Sequence, residues 1–510
     1  MIALLFSSPA FAAEPVVAEE SAPVTAEAPA APASTTTATA PSQKGGFHSW
    51  GEARLLGSLP PETVLDTEGH TLGQSAVLDS RLRAGLGYAK DDWKVRTEWD
   101  LFAGQLAGDA WDVRGTEDAR HRDVVGVLRG DAFRARRLSV EGRAGPVGIE
   151  AGLVTSHWGL GMLANDGAHD PWFGRNDFGD RVIRLRVGTR PIAGVPLTVG
   201  IAGDRVVDDE QATWSPFTGG QTAWQGIASA LYGEKDGAKV GVYGVYRNQT
   251  EADGERVTSA GVLDLYGDAP IALPGLTLRL AGEAAGILGR TDRAQSYNAR
   301  DGLAVTSGGA TVLVEALPEA VPLTGTLRGG WASGDGDPDD DRSNDFSFDR
   351  DFDAGMVLFD EIQGAIDAAT YAQLTDDSHS GRAPDGADTL VGEGAVRGAS
   401  FVQPVVAFKP APWLGVKAGA LFAWGTKPIG QGFATYRNGG VPANHLGETT
   451  SGYALGTELD WAVTLGDVET PVLGVKARPA LLVQGGHYLA SADMGGGTHT
   501  LVTATGRVRW

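Results

Sequence analysis

Apolar and polar residues alternate along most of this chain, with the two-residue period of an extended strand. In one segment Ile183, Leu185 and Val187 fall on one side, while Arg184 and Arg186 fall on the other. The same pattern recurs from Phe47 to the last residue of the chain. A strand with one apolar and one charged face borders two different environments, so the pattern predicts a protein built from β-strands.

About eighteen such segments of roughly 10 to 15 residues follow one another, a length that crosses an outer membrane at a tilt. The predicted strands are approximately 47–58, 76–89, 92–105, 131–145, 147–157, 180–192, 195–207, 222–233, 238–249, 255–268, 276–290, 307–318, 322–334, 396–410, 412–426, 448–465, 471–489 and 498–510. Short connections alternate with long ones, which cover 106–130, 158–179, 335–395 and 427–447. Short turns on one side of the membrane and long loops on the other are typical of bacterial barrels. The sequence therefore predicts an all-β fold, a closed antiparallel transmembrane β-barrel of about 18 strands (16–18) with long extracellular loops.

The carboxyl-terminal strand alternates up to an aromatic last residue. Trp510, Val508, Gly506, Ala504 and Val502 lie on one side of it, and Arg509, Arg507, Thr505 and Thr503 on the other. It resembles the terminal strand by which the barrel-assembly machinery recognises outer-membrane barrels, so that machinery is an expected partner. Aromatic residues also recur near other predicted strand ends, where they suit the level of the lipid headgroups. A soluble β-sandwich would instead bury such residues in a shared core.

The amino-terminal residues predict export from the cytoplasm. Ile2–Phe6 is apolar, and Ala10-Phe11-Ala12 places small residues at a signal-peptidase site. We therefore expect a signal peptide over 1–12, shortened at its start because no basic residue precedes the apolar run. Residues 13–45 are rich in Ala, Pro and Thr and predict a disordered periplasmic tail, and 46–510 form the barrel with its long loop 335–395. The expected location is the outer membrane of a Gram-negative bacterium, with its lipid around the barrel.

Strand alternation also predicts which charged residues face the lumen. The basic set contains Arg54, Arg81, Arg83, Arg96, Arg137, Arg143, Arg184, Arg186, Arg279, Arg328, Arg478, Arg507 and Arg509, together with Lys94, Lys417 and Lys476. The acidic set contains Glu52, Asp79, Glu141, Glu283, Glu458 and Asp460. An arginine-lined path would favour anionic solutes through guanidinium–carboxylate hydrogen bonds. The alternative is that these arginines pair with the inward carboxylates and stiffen the wall.

Amino-acid composition and charge argue against several classes of function. The net charge of −22 argues against nucleic-acid binding, because no basic field attracts phosphates. The absence of cysteine excludes thiolate chemistry, and no catalytic motif is present, so we expect neither an enzyme nor a firm cofactor. One metal site is considered: Asp335, Asp337, Asp339 and Asp341 are spaced like the start of a calcium loop, on an extracellular loop. The full EF-hand pattern fails, because Phe346 stands where its bidentate Glu belongs.

Two further blocks carry a resemblance to a known family. Residues 156–167 (SHWGLGMLANDG) with 177–181 (DFGDR), and later 346–349 (FSFD) with 355–359 (GMVLF), resemble motifs of a family of large outer-membrane barrels from myxobacteria and their relatives. The strand count and basic lumen also resemble alginate-export barrels. The resemblance implies export of an anionic cell-surface polysaccharide, with periplasmic export partners.

Residues 353–374 place apolar side chains at helical spacing, which predicts a helix that folds over or into the pore.

Two other functions remain open from the sequence alone. A general porin or solute-uptake channel would have the same alternation and the same lumen. A closed barrel that serves adhesion or a cell-surface motility complex would have the same exterior and long acidic loops.

Overall fold

The structure is a computed structural model that describes residues 45–72, 76–108, 133–176, 179–234, 236–252, 254–293, 302–337, 340–375, 394–472 and 475–510. The predicted signal peptide and nearly all of the predicted tail lie outside these residues. Described helices are short, and none is both long and apolar enough to cross a membrane.

The described chain forms eighteen long strands, at the positions that alternation predicts. They are β1 Gly46–Leu59, β2 Val77–Lys90, β3 Trp93–Ala107, β4 Arg134–Ala144, β5 Val147–Thr155, β6 Arg181–Thr189, β7 Leu197–Asp209, β8 Thr222–Gly233, β9 Lys239–Thr250, β10 Val257–Leu273, β11 Leu276–Thr291, β12 Leu303–Pro318, β13 Leu323–Ala332, β14 Ala399–Ala411, β15 Leu414–Gly425, β16 Ala454–Gly466, β17 Val475–Ala490 and β18 Thr498–Arg509. Short strands at Thr63–Val64, Thr71–Leu72, Ala212–Ser215, Gly219–Gly220, Arg342–Ser343 and Thr470–Val472 extend the connections.

Each long strand pairs antiparallel with the next, and the last pairs with the first. At the seam Glu52 lies opposite Arg509, and Gly51 and Trp510 exchange backbone hydrogen bonds of 3.0 Å in both directions. The indole of Trp510 covers Gly51, where an added Cβ would stand only 2.4 Å from the ring. The seam therefore closes the barrel and leaves no open sheet edge between the ends of the chain.

The barrel is inverted relative to a soluble protein: its exterior is apolar and its interior is charged. On β6, Leu185 is 58% exposed and Ile183 is 43% exposed, whereas Arg184 between them is only 4% exposed. Large exposed apolar side chains recur in this way on strands around the barrel. Such an exterior requires a bilayer, and closed antiparallel barrels with short turns at one end are of the outer-membrane type. The chain is thus an outer-membrane β-barrel, with both described ends at its short-turn, periplasmic side.

Two long connections fold into the barrel interior. We call residues 156–176 the first inner segment and residues 345–370 the second inner segment. The second begins with extended turns, passes through a π-helical turn at Leu358–Gln363 and continues as helix α1, Gly364–Thr375. Its side chains Phe346, Phe348 and Met356 are fully buried against the barrel wall. The predicted helix that folds into the pore is confirmed. Helix α2, Gly432–Arg437, lies in the loop between β15 and β16 and contacts α1.

Candidate functional site

A chamber of about 1880 Å³ occupies the periplasmic half of the lumen. Its sides are strand residues that point inward, and its lower rim includes the turn residues Glu319–Pro322 and Trp413. Its upper wall consists of the first inner segment, from His157 to Asn176, together with Asp351–Asp353 of the second inner segment. The two inner segments therefore lie between the chamber and the extracellular half of the barrel.

A wall carboxylate holds the second inner segment in place. Glu458 on β16 accepts hydrogen bonds from the backbone amides of Met356, Val357 and Leu358, at 2.6, 2.9 and 2.7 Å. These amides precede and begin the π-helical turn, where backbone N–H groups lack partners within the helix. Glu458 is fully buried. Glu458 therefore caps the helical part of the second inner segment from strand β16 of the wall.

A second wall carboxylate binds the first inner segment in the same way. Glu283 on β11 accepts hydrogen bonds from the backbone amides of Leu160 and Met162. Trp158 is fixed as well, because its indole N–H donates to Asp264 at 2.9 Å and its ring stacks on Tyr243 with centroids 5.0 Å apart. Notably, the sequence predicted Glu283 and Glu458 as lumen residues, but their role as caps of distant loops was missed.

The two inner segments also hold each other. The amide of Asn165 donates to the carboxylate of Asp349 at 2.8 Å, and its side-chain amide donates to the backbone oxygen of Asp351 at 3.0 Å. The amide of Asp349 donates to the carbonyl of Met162 at 2.7 Å. Met162 and Asn165 of the first inner segment are thus joined to Asp349 and Asp351 of the second.

The structure divides the thirteen predicted lumen arginines into two groups. Those that line the chamber are Arg54, Arg81, Arg83, Arg279, Arg328, Arg478, Arg507 and Arg509. Those on strands of the described barrel that do not line it are Arg96, Arg137, Arg143, Arg184 and Arg186. The second group lies on β3, β4 and β6. Arg184 and Arg186 therefore do not line this chamber, and a role for them in a solute path stays a prediction.

Most of these arginines form ion pairs, as the alternative interpretation predicted. Arg83 binds both oxygens of Asp100 at 2.7 and 3.0 Å, and Arg184 binds both oxygens of Asp204 at 2.9 and 2.7 Å. The remaining pairs of predicted arginines are Arg81 with Glu52, Arg96 and Arg137 with Glu141, Arg186 with Glu150, Arg279 with Asp268 and Glu315, Arg507 with Asp170 and Asp467, and Arg509 with Glu52 and Asp170. Arg328 donates to the backbone oxygen of Asp353 and lies over the ring of Phe352. In such bidentate pairs the carboxylate neutralises the guanidinium, so these arginines fix the geometry of the wall and leave little unpaired positive charge in the lumen.

One arginine that holds the chamber roof was missed by the sequence analysis. Arg136 is 2% exposed, and its guanidinium binds Glu98 at 3.1 Å and the carbonyl oxygen of Asp166 at 2.6 Å. Strict alternation places it on the lipid side. A β-bulge changes that, because the pairing of β3 with β4 shifts at Glu98 and leaves Arg136 as the extra residue. No local sequence signal marks this bulge.

The chamber lining contains more basic than acidic residues, although the whole chain has a net negative charge. Among the described residues that line it, twelve are Arg or Lys and nine are Asp or Glu. The missed members include Arg175, which binds Asp79 at 2.8 Å, and the rim residue Lys409. Lys417, an inward residue of β15, donates to the backbone oxygen of Trp172 at 3.2 Å. Lys417 therefore offers a cationic group to the chamber beside a neutral partner.

The predicted calcium site is not assembled by the described residues, and Asp339 lies outside them. Asp335 accepts hydrogen bonds from the amides of Asp337 and Asn344, both at 3.1 Å, so it closes a turn. Asp341 is 95% exposed and lies 4.0 Å from Arg342. The described groups of side chains that are close enough to share an ion do not contain these residues.

Carboxylates do converge at the extracellular end of the inner segments. Asp180, Glu210 and Asp349 bring oxygens within 4.8 Å of one another. Burial, and then the charge of Asp209, raises the pKa of Glu210 to about 7. Burial and the neighbouring carboxylates also raise the pKa values of Asp180 and Asp349 well above their usual range. This group is thus partly protonated near neutral pH.

Comparisons with known proteins give only distant similarity. The chain matches no family model, and it matches no curated protein. Solved structures with a similar course include Acinetobacter baumannii OccAB1, at 11% identity with 90% of this chain and 96% of that chain covered and a TM-score of 0.48. The outer membrane protein OprD from Pseudomonas aeruginosa is similar at 13% identity, with 91% and 93% covered and a TM-score of 0.48. Pseudomonas aeruginosa OccK5 (OpdH) is similar at 9% identity, with 91% and 97% covered and a TM-score of 0.48. At such values neither a family nor a solute follows for this chain, and the myxobacterial resemblance stays a prediction.

Proposed function

We propose that the chain is an outer-membrane channel for small water-soluble solutes that carry a negative charge. The observation behind this proposal is the chamber of about 1880 Å³, which is covered by the two inner segments and whose described lining holds twelve basic against nine acidic residues. It is larger than a small-molecule binding site, typically about 300–1,000 Å³. It therefore suits passage of small solutes better than their retention.

The inner segments argue for a general channel over the export of a polysaccharide. A polymer needs an unobstructed bore along the whole barrel. Here Glu458 and Glu283 hold the inner segments by hydrogen bonds, and Asp349 joins the two segments to each other. Opening a bore wide enough for a sugar chain would break these buried hydrogen bonds together, at roughly 1–3 kcal/mol each.

The charges that remain available in the chamber explain the preference for anions. A carboxylate that enters from the rim meets Lys409 and Lys417, and neither has a carboxylate within ion-pair distance among the described residues. Cationic groups inside a protein-walled cleft attract anions more strongly than the same groups in bulk water. The paired arginines set the shape of the wall beside them.

Liposome swelling tests this proposal. Vesicles that contain the purified protein should swell faster in a small monocarboxylate salt than in a neutral solute of equal size, and should not swell in an anionic oligosaccharide. Lys417→Gln with Lys409→Gln should reduce the preference for the monocarboxylate several-fold.

Arg96→Gln provides the matched control, because it removes one cationic group from a wall position that does not line the chamber. It should leave the preference unchanged. Passage of the oligosaccharide would instead support polysaccharide export. Absence of all swelling would support the closed barrel of a surface complex.

A further inference from the structure

Two histidines and one aspartate converge on the first inner segment. The Nδ1 atoms of His157 and His169 lie 3.8 and 3.6 Å from the carboxylate of Asp166, and one ligand atom from each residue lies within 4.8 Å of the other two. The two imidazole rings face each other at a tilt, with centroids 4.9 Å apart. Their positions in the sequence form no zinc motif, so the loop fold creates the group.

The separations fit one small ion with modest adjustment. Ligand atoms around a tetrahedral zinc ion at about 2.0 Å lie roughly 3.3 Å from one another. The two distances to Asp166, 3.8 and 3.6 Å, are a few tenths of an ångström longer, and the ligand atoms of the two imidazoles lie within 4.8 Å of each other. His169 can supply the adjustment because its side chain is 68% exposed. His157 offers a ready ligand, since its Nδ1 is buried and makes no hydrogen bond among the described residues.

The backbone that carries these ligands is held rigidly. Arg136 binds the carbonyl oxygen of Asp166, and the amide of Ala168 donates to the Asp166 carboxylate at 3.0 Å. On the other side of His157, the hydroxyl of Ser156 accepts from Arg184 at 3.1 Å and Trp158 is fixed by its indole. Such outer contacts orient metal ligands and raise affinity.

We propose that His157, Asp166 and His169 bind a divalent transition-metal ion in the roof of the chamber. Two imidazoles and a carboxylate suit zinc, copper, nickel or iron, and disfavour calcium and magnesium, which take oxygen ligands. Because His157 and His169 also line the chamber, the open coordination positions of the ion face the solute path. The ion is therefore able to bind a ligand group of a passing solute, in the manner of a three-ligand zinc site.

Calorimetric titration of the folded barrel with Zn²⁺ in detergent tests the proposal and needs no channel activity. The protein is purified without a polyhistidine tag. The wild type should bind one Zn²⁺ tightly, and His169→Ala and Asp166→Asn should each weaken that binding at least tenfold. Ca²⁺ and Mg²⁺ should not compete. His487→Ala, which removes an exposed imidazole of β17 that is hydrogen-bonded to Thr500, is the matched control and should bind Zn²⁺ like the wild type.

X-ray absorption at the zinc edge adds a measurement that does not depend on any variant. Its spectrum should show two imidazole ligands on the bound ion. The proposal is overturned if the wild type fails to bind Zn²⁺, if His169→Ala and Asp166→Asn bind it as the wild type does, or if the spectrum lacks imidazole.

Discussion

Several charged residues of this barrel bind backbone groups of loops that are distant in the sequence. Arg136 shows why the sequence could not reveal this. Its inward position depends on one extra residue in β4, and its partner carbonyl belongs to Asp166, thirty positions away. Alternation predicts a face for each strand residue, but it predicts neither bulges nor the loop that a side chain will reach.

Loss of the Arg136 side chain should destabilise the barrel strongly. Arg136→Met leaves the half-buried Glu98 with Trp50 as its remaining hydrogen-bond donor among the described residues and removes the donor to the Asp166 carbonyl, which should cost about 3 kcal/mol. Urea unfolding of the refolded protein in detergent measures this change. Arg137→Met, the next residue, should cost less than 1 kcal/mol, because its own ion pair is loose at 3.7 Å. Equal effects of the two substitutions would contradict the assigned role.

Glu210 should make stability depend on pH. Its pKa is about 7 in the folded protein against 4.5 ordinarily, chiefly because it is buried. A carboxyl with a raised pKa favours folding when protonated, so its ionisation removes stability as the pH rises from about 4.5 through 7. Glu210→Gln should therefore raise stability by about 1–3 kcal/mol at pH 8 and by little at pH 4.5. Unfolding of both proteins at the two pH values checks the difference, and a gain that is the same at both would refute it.

At the scale of elements, the eighteen strands were predictable and the inner segments only in part. Alternation located every long strand, since a bilayer outside and a wet lumen inside impose a two-residue period. The errors are at ends: β10 extends to Leu273 rather than 268, and β16 begins at Ala454 rather than 448. The helical spacing in 353–374 predicted α1. It could not predict the cap from Glu458, about a hundred residues away.

The Glu458 cap gives a prediction for the second inner segment. Glu458→Ala leaves three buried amides without an acceptor, and we expect a loss of about 3 kcal/mol in the docking of that segment. Hydrogen exchange at Met356–Leu358 should accelerate, and single-channel conductance should rise because the segment no longer stays against the wall. Glu319→Ala, at the exposed rim, is the matched control. Unchanged exchange in Glu458→Ala would show that the cap does not hold the segment.

The seam between β1 and β18 includes a close contact between Gly51 and the ring of Trp510. An added side chain at Gly51 would collide with the ring of Trp510. Gly51→Val should therefore impair closure and reduce the yield of folded barrel several-fold, measured by heat-modifiable electrophoretic mobility. Gly57→Val, also on β1, should have a smaller effect, because the nearest atom to its Cβ position is 3.9 Å away. Equal yields from both variants would mean that the Trp510–Gly51 contact is dispensable.

At the scale of the whole molecule, charge is separated between the chamber and the rest of the chain. The net charge is −22, yet the chamber lining has more basic than acidic residues. The sequence predicted a basic lumen but not its division, because pairing partners such as Asp204 and Glu150 come from neighbouring strands in register. Arg184 and Arg186 on β6 are paired with these carboxylates of the wall. Lys409 and Lys417, which line the chamber, lie on β14 and β15, across the barrel from β6.

Ion conductance across a planar lipid bilayer measures whether the barrel is an anion channel. We expect discrete single-channel currents in KCl and, under a salt gradient, a reversal potential that shows preference for chloride. Lys417→Gln with Lys409→Gln should shift this potential toward zero. A barrel that inserts but carries no current, or one that prefers potassium, would contradict the proposed function.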